Sequence, residues 1–70
     1  MSTISGTVVD FDEARGDGWI LSSTGERFYF HCVAIADGTR TIPVGVQVRA
    51  RRRVGLLGAD EATDVYSLGI

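Results

Sequence analysis

Hydrophobic and polar side chains alternate along several short stretches of this chain. Successive residues of a β-strand point to opposite faces, so a period of two indicates a strand with one buried and one exposed face. Residues 27–31 show this most clearly, because Phe28 and Phe30 alternate there with Tyr29 and His31. The same pattern predicts strands over residues 4–12, 18–22, 27–31, 46–54 and 62–68. Since no stretch of about ten residues has a helical period, we expect an all-β fold, a five-stranded Greek-key barrel.

Glycine and polar residues mark the connections between these strands. Residues 23–26 form a predicted turn in which Gly25 can adopt a positive φ. Gly16 and Gly18 would let the first hairpin bend sharply. The remaining connections are predicted loops over residues 13–17, 36–45 and 55–61.

An exposed aromatic cluster is predicted on the outside of the second and third strands. With Ile20 facing the core, Trp19 faces outward, and Tyr29 and His31 do so for the same reason. Arg15 lies at the entrance of this hairpin. Exposed rings beside a cation are typical of a surface on which unpaired bases stack. The alternatives are that Trp19 is a core residue, as most tryptophans are, and that His31 is only a hydrogen-bonded surface residue.

The chain is short enough to form one small domain, over residues 1–70. A chain of this length buries only about 60% of its unfolded surface, so its hydrophobic residues, 44% of the total, suffice for a barrel core but not for an enclosed active site. His31 and Cys32 are adjacent, and strand geometry would point them to opposite sides, away from a nucleophile–base pair. Two neighbouring ligands do not make a zinc site, and nothing resembles a calcium loop. We expect no enzyme activity, metal, cofactor or small-molecule substrate.

The overall charge is unusual for a protein that binds nucleic acid. The net charge is −2 and the pI is near 5.1, whereas nucleic-acid-binding domains are usually basic. All seven cations are arginines. Both signs are clustered, the cations at Arg49, Arg51, Arg52 and Arg53 and the acids at Asp10, Asp12, Glu13 and Asp17. The arginine run could contact a charged partner or form a solubilising edge, and the sequence favours neither.

Cysteine content and hydropathy bear on where the protein works. The single Cys32 cannot form an internal disulfide, which favours a reducing compartment. No signal peptide precedes Ile4, and no apolar run approaches the roughly 18 residues that cross a membrane. We expect a cytoplasmic protein without a membrane partner, present as a monomer or weak dimer.

Two motifs occupy the predicted first hairpin and the residues after it. Residues 15–20 read Arg-Gly-Asp-Gly-Trp-Ile, and residues 28–35 read Phe-Tyr-Phe-His-Cys-Val-Ala-Ile. They resemble the motifs of the cold-shock domain family, Lys-Gly-Phe-Gly-Phe-Ile and Val-Phe-Val-His-Phe-Ser-Ala-Ile. Weaker matches extend the resemblance over nearly the whole chain, at residues 6–12, 38–42 and 45–48. The resemblance implies an OB-fold barrel with a short 3₁₀ turn over residues 32–35.

The same resemblance implies a function. Members of the family bind single-stranded RNA or DNA, and the implied role is that of an RNA chaperone or a regulator of expression under stress. The residues that would contact the ligand are Phe11, Trp19, Tyr29 and His31 for the bases and Arg15 and Arg40 for the phosphates.

Four substitutions depart from the family pattern. Asp10 stands where the family has Trp, and Asp17, Cys32 and Thr39 each stand where it has Phe. Each stacked base is worth roughly 1–3 kcal/mol, so losing two stacks should weaken binding by about 2–6 kcal/mol. We therefore expect a weak binder that holds about two or three bases. The alternative is a degenerate barrel that has lost nucleic-acid binding and serves as a protein-interaction module.

Overall fold

Five strands close into a barrel in the computed structural model, which describes residues 3–55 and 60–69. Their order around the barrel is β1-β2-β3-β5-β4. The all-β, five-stranded OB-fold barrel predicted from the sequence is thereby confirmed. The elements are β1 (Thr3–Asp12), β2 (Asp17–Ser22), β3 (Arg27–His31), a 3₁₀ turn (Cys32–Ala34), β4 (Gln47–Val54) and β5 (Asp60–Ser67).

Strand β1 pairs along both of its edges, with β4 on one side and β2 on the other. Its first five residues pair with β4, and the residues from Gly6 onward pair with β2, both antiparallel. The register with β2 shifts between Val8 and Asp10, and such a bulge bends a strand and increases its twist. Strands β3 and β5 complete the barrel through a parallel pairing of Tyr29 with Glu61.

The inward side chains of all five strands fill the barrel interior. Phe28 and Phe30 are buried, as the alternation predicted, and so is Ile20 on the neighbouring strand. No polar or charged side chain of the described residues is buried, so hydrophobic burial stabilises this core. The buried residues are Ile4, Val8, Ile20, Phe28, Phe30, Ile35, Ile42, Val48, Ala50, Ala62 and Val65.

The ends of the elements differ slightly from the prediction. Strand β5 begins two residues earlier, at Asp60, because its first two residues pair with the end of β4. The 3₁₀ turn ends at Ala34, since Ile35 forms a parallel bridge with Val65. Residues 56–59 of the predicted loop over 55–61 lie outside the described residues. Over the described part of the chain, no helix is long and apolar enough to span a membrane.

Candidate nucleic-acid interface

Trp19, Tyr29 and His31, which we call the aromatic face, lie on the outer surface of β2 and β3. Trp19 and Tyr29 are directly opposite each other in the antiparallel ladder. Their ring centroids are 5.7 Å apart and the rings meet edge to face, at 72°. Trp19 is 37% exposed, whereas its neighbours Gly18 and Ile20 are buried. Trp19 is therefore a surface residue and not part of the core.

Phe11 has a different environment from the three residues of the aromatic face. It is half-buried, and its ring stacks on Phe30 with centroids 5.8 Å apart and an interplanar angle of 14°. The bulge in β1 that precedes it brings Phe11 opposite Gly18. Phe11 thus packs against the core and can offer a ligand only the exposed part of its ring.

His31 ends β3 and also caps the 3₁₀ turn. Its Nδ1 accepts a hydrogen bond from the backbone N–H of Val33 at 3.3 Å, so the neutral ring carries its proton on Nε2. The Sγ of Cys32 lies 3.8 Å from the same Nδ1. The expectation that these two side chains point apart was wrong, because the chain leaves extended geometry at Cys32. The ring remains exposed beside Tyr29.

Asp17 connects Arg15 to Tyr29 in what we call the Asp17 network. One carboxylate oxygen, Oδ1, accepts from Nε of Arg15 at 2.9 Å. The other, Oδ2, accepts from the hydroxyl of Tyr29 at 2.8 Å. Arg15 Nη1 also lies 3.5 Å from Oδ2 of Asp12. Arg15, expected to contact phosphates, is therefore already engaged with two carboxylates.

The Asp17 network changes the acidity of its members. The hydrogen bond from Tyr29, followed by the one from Arg15, lowers the pKa of Asp17 below its ordinary value. The same hydrogen bond raises the pKa of Tyr29, because losing the phenolic proton would place a second negative charge beside Asp17. At neutral pH the carboxylate is charged and the phenol is protonated, which keeps the hydrogen bond intact.

Arg40 lies in the loop between the 3₁₀ turn and β4. It is exposed, with a positive φ of 60°, and has no ion-pair partner within residues 3–55 and 60–69. The next residue, Thr41, donates its hydroxyl to Glu13 at 2.7 Å, which joins this loop to the β1–β2 loop. Thr39 donates its backbone N–H and its hydroxyl to Asp37, which lowers the pKa of that carboxyl.

Three of the four clustered arginines on β4 are paired with acids. Arg51 lies 3.7 Å from Asp64, and Arg53 lies 3.1 Å from Glu61. Arg52 contacts Glu26 and Asp60, and its guanidinium lies over the Phe28 ring, 5.2 Å from the centroid. These contacts connect β4 to β5 and to the turn between β2 and β3. They favour a structural role for the arginine run over contact with a charged partner.

Arg27 is a candidate contact residue that the sequence analysis missed. It lies on the same outward side of β3 as Tyr29 and His31, opposite Leu21 of β2. It is exposed, and no acid of the described residues forms an ion pair with it. The signal was present, because the alternation that places Tyr29 outward also places Arg27 outward.

No family model matches this chain, and no curated protein matches it either. The resemblance to the cold-shock domain family therefore rests on the sequence motifs alone and remains a prediction.

Proposed function

We propose that this barrel binds single-stranded RNA or DNA weakly, by stacking of two or three bases on the aromatic face. The outward-facing pair of Trp19, which is exposed, and Tyr29, which is half-buried, on adjacent strands is the observation that carries the proposal. Stacking on such rings tolerates any base, because every base has a π-face. We therefore expect little sequence preference.

We expect the phosphates to be bound by arginines that do not already form an ion pair with a carboxylate. Arg27 borders the aromatic face on β3, and Arg40 lies in the loop that Thr41 ties to Glu13. Both guanidiniums can bind a phosphate in a forked geometry. Asp10 opposes this binding, because it lies opposite Trp19 in the ladder and no ion pair neutralises it among the described residues. Glu61 lies opposite Tyr29, but its charge is paired with Arg53. Weak, transient binding of this kind suits an RNA chaperone in the cytoplasm that keeps transcripts unpaired without catalysing a reaction.

The acids around the rings also favour a second candidate, a protein-interaction module. A basic peptide could place Arg or Lys over Trp19 while Asp10, which forms no ion pair among the described residues, pairs with another of its cations. This candidate function uses the same face, but it requires a cationic partner and predicts no affinity for oligonucleotides.

The discriminating experiment is a titration of labelled oligo-dT at low salt, followed by fluorescence anisotropy. Trp19→Ala should weaken binding by about five- to 150-fold, the equivalent of roughly 1–3 kcal/mol for one stacked base. Tyr66→Ala is the matched control, since Tyr66 is an exposed aromatic residue on β5, opposite Arg49 of β4. It should bind like the wild type. Equal affinities of the wild type and Trp19→Ala, or no binding by either, would refute the proposal and favour the interaction module.

A further inference from the structure

We propose that Asp17 substitutes for a phosphate within the free protein: it holds Arg15 in an internal ion pair with which a ligand phosphate must compete, and it thereby limits the affinity of the aromatic face. This inference rests on the proposed function, and it adds that the Asp17 carboxylate competes with the ligand's phosphates for Arg15.

The geometry around Arg15 is that of an occupied anion site. Nε donates to Asp17 Oδ1 at 2.9 Å, and Nη1 lies 3.5 Å from Asp12 Oδ2. The backbone N–H of Arg15 also donates to Asp12, at 3.1 Å. The Arg15 side chain is 59% exposed, so a phosphate could reach it, but its Nε and Nη1 groups already face carboxylates of the same chain.

The Asp17 carboxylate is held more firmly than a typical surface acid. Its side chain is only 17% exposed, and both of its oxygens accept hydrogen bonds, one from Arg15 and one from Tyr29. Tyr29 is itself fixed by its pairing with Trp19 in the ladder. The lowered pKa of Asp17 means that this competitor is charged at neutral pH.

A phosphate that binds the Nε side of Arg15 must therefore displace Asp17. The exchange replaces one ion pair with another, so Arg15 adds little net affinity while Asp17 is present. Asp10 offers a comparison, because it is an exposed carboxylate opposite Trp19 that forms no ion pair in the described part of the chain. Removing the Asp10 charge relieves repulsion but frees no cation.

The test uses three single variants, Asp17→Asn, Asp10→Asn and Arg15→Gln. A fourth protein combines Asp17→Asn with Arg15→Gln. The amide oxygen of the substituted side chain can still accept from Tyr29, so the ring keeps its position. Asp17→Asn should raise affinity for oligo-dT by at least about threefold and steepen the dependence of log affinity on log salt by about 0.7, the value of one phosphate contact on a single strand. Asp10→Asn should leave that slope unchanged.

The combination with Arg15→Gln separates release of Arg15 from simple loss of charge. If Arg15 is released, Asp17→Asn gains more in the presence of Arg15 than in the Arg15→Gln background. Equal gains in the two backgrounds, or equal salt slopes for Asp17→Asn and Asp10→Asn, would overturn the inference.

A second arm does not depend on nucleic-acid binding. The Nε–H resonance of Arg15 is followed by NMR while inorganic pyrophosphate is added. We expect it to move in Asp17→Asn at pyrophosphate concentrations that leave it unmoved in the wild type. A matching response in both proteins would overturn the inference whatever the oligonucleotide result. If only the oligonucleotide fails to bind, the proposed function is wrong but the occupation of Arg15 by Asp17 stands.

Discussion

At the scale of single residues, neighbours on one strand differ in role, because one side chain faces outward and the next lies in the core. Tyr29 lies on the outer surface, whereas Phe30 is fully buried and its ring stacks with that of Phe11. Phe30→Ala should cost about 3–5 kcal/mol, and domains of this kind have only about 5–15 kcal/mol of stability in total. We expect loss of the cooperative thermal transition measured by circular dichroism. Val33→Ala, at a position that is 65% exposed, should melt like the wild type. A normal transition in Phe30→Ala would show that Phe30 is not a main core residue.

The orientation of these side chains could be predicted because it follows from alternation alone. Trp19, Tyr29 and His31 were each placed outward by the sequence, and the structure agrees. The partners of Asp17 could not be predicted in this way. Asp17 meets Tyr29, twelve residues away, only because of the cross-strand register of β2 and β3. Arg15 was therefore expected to be free for a ligand, whereas it is held by Asp17.

At the scale of strands, Gly18 sets how closely β1 and β2 approach. The sequence predicted a bending role for it, but the structure does not place it among the glycines with positive φ. A Cβ at this position would instead collide with the carbonyl oxygen of Asp10 and lie 3.0 Å from the Cα of Phe11. Because both contacts are with backbone, Gly18→Ala must push the two strands apart.

We expect Gly18→Ala to lower the midpoint of urea unfolding more than Gly25→Ala does. Gly25 has a φ of 90°, and a Cβ added there would have nothing within 4 Å, so alanine meets only backbone strain of about 1–2 kcal/mol. Gly18→Ala should also shift the emission of Trp19, which follows it directly on β2. An unfolding midpoint for Gly18→Ala at or above that of Gly25→Ala would contradict the close approach.

The existence of the strands was easier to predict than their ends and their pairing. Periodicity marks a strand wherever one face is buried, but it carries no information on which strand lies beside it. The parallel contact of β3 with β5 at Tyr29 and Glu61 closes the barrel and leaves no local pattern in the sequence. The early start of β5 at Asp60 could not be predicted for the same reason. Asp60 and Glu61 are both charged, so they show no alternation with apolar residues, yet they extend the ladder with β4.

At the scale of the whole molecule, the net charge of −2 is a poor guide to what the surface presents. Most of the arginines form ion pairs with acids of the same chain, and within the described ranges only Arg27, Arg40 and Arg49 do not. Arg27 borders the aromatic face, opposite Leu21. The charge that a ligand meets therefore depends on which side chains already form ion pairs, as Arg15 does, and not on the net charge of the chain.

The Asp17 network should make the stability of the whole barrel depend on pH at both ends of the range. Its hydrogen bonds lower the pKa of Asp17 below the ordinary 3.8, so their contribution is complete above that value and is lost as pH falls through the lowered pKa. The pKa of Tyr29 is raised above the ordinary 10.0, so its contribution is complete below that value and is lost as pH rises through the raised pKa.

One substitution tests both limbs. Tyr29→Phe keeps the ring but removes the hydroxyl that donates to Asp17, so it should flatten the acid limb, while Asp17 keeps its contact with Arg15. It should also abolish the part of the alkaline limb that is due to Tyr29. The measurement is the urea midpoint as a function of pH, with Tyr66→Phe as the control that removes the other tyrosine hydroxyl. If the pH dependence of Tyr29→Phe matched that of Tyr66→Phe at both ends, the hydrogen bond between Tyr29 and Asp17 would not be contributing to stability.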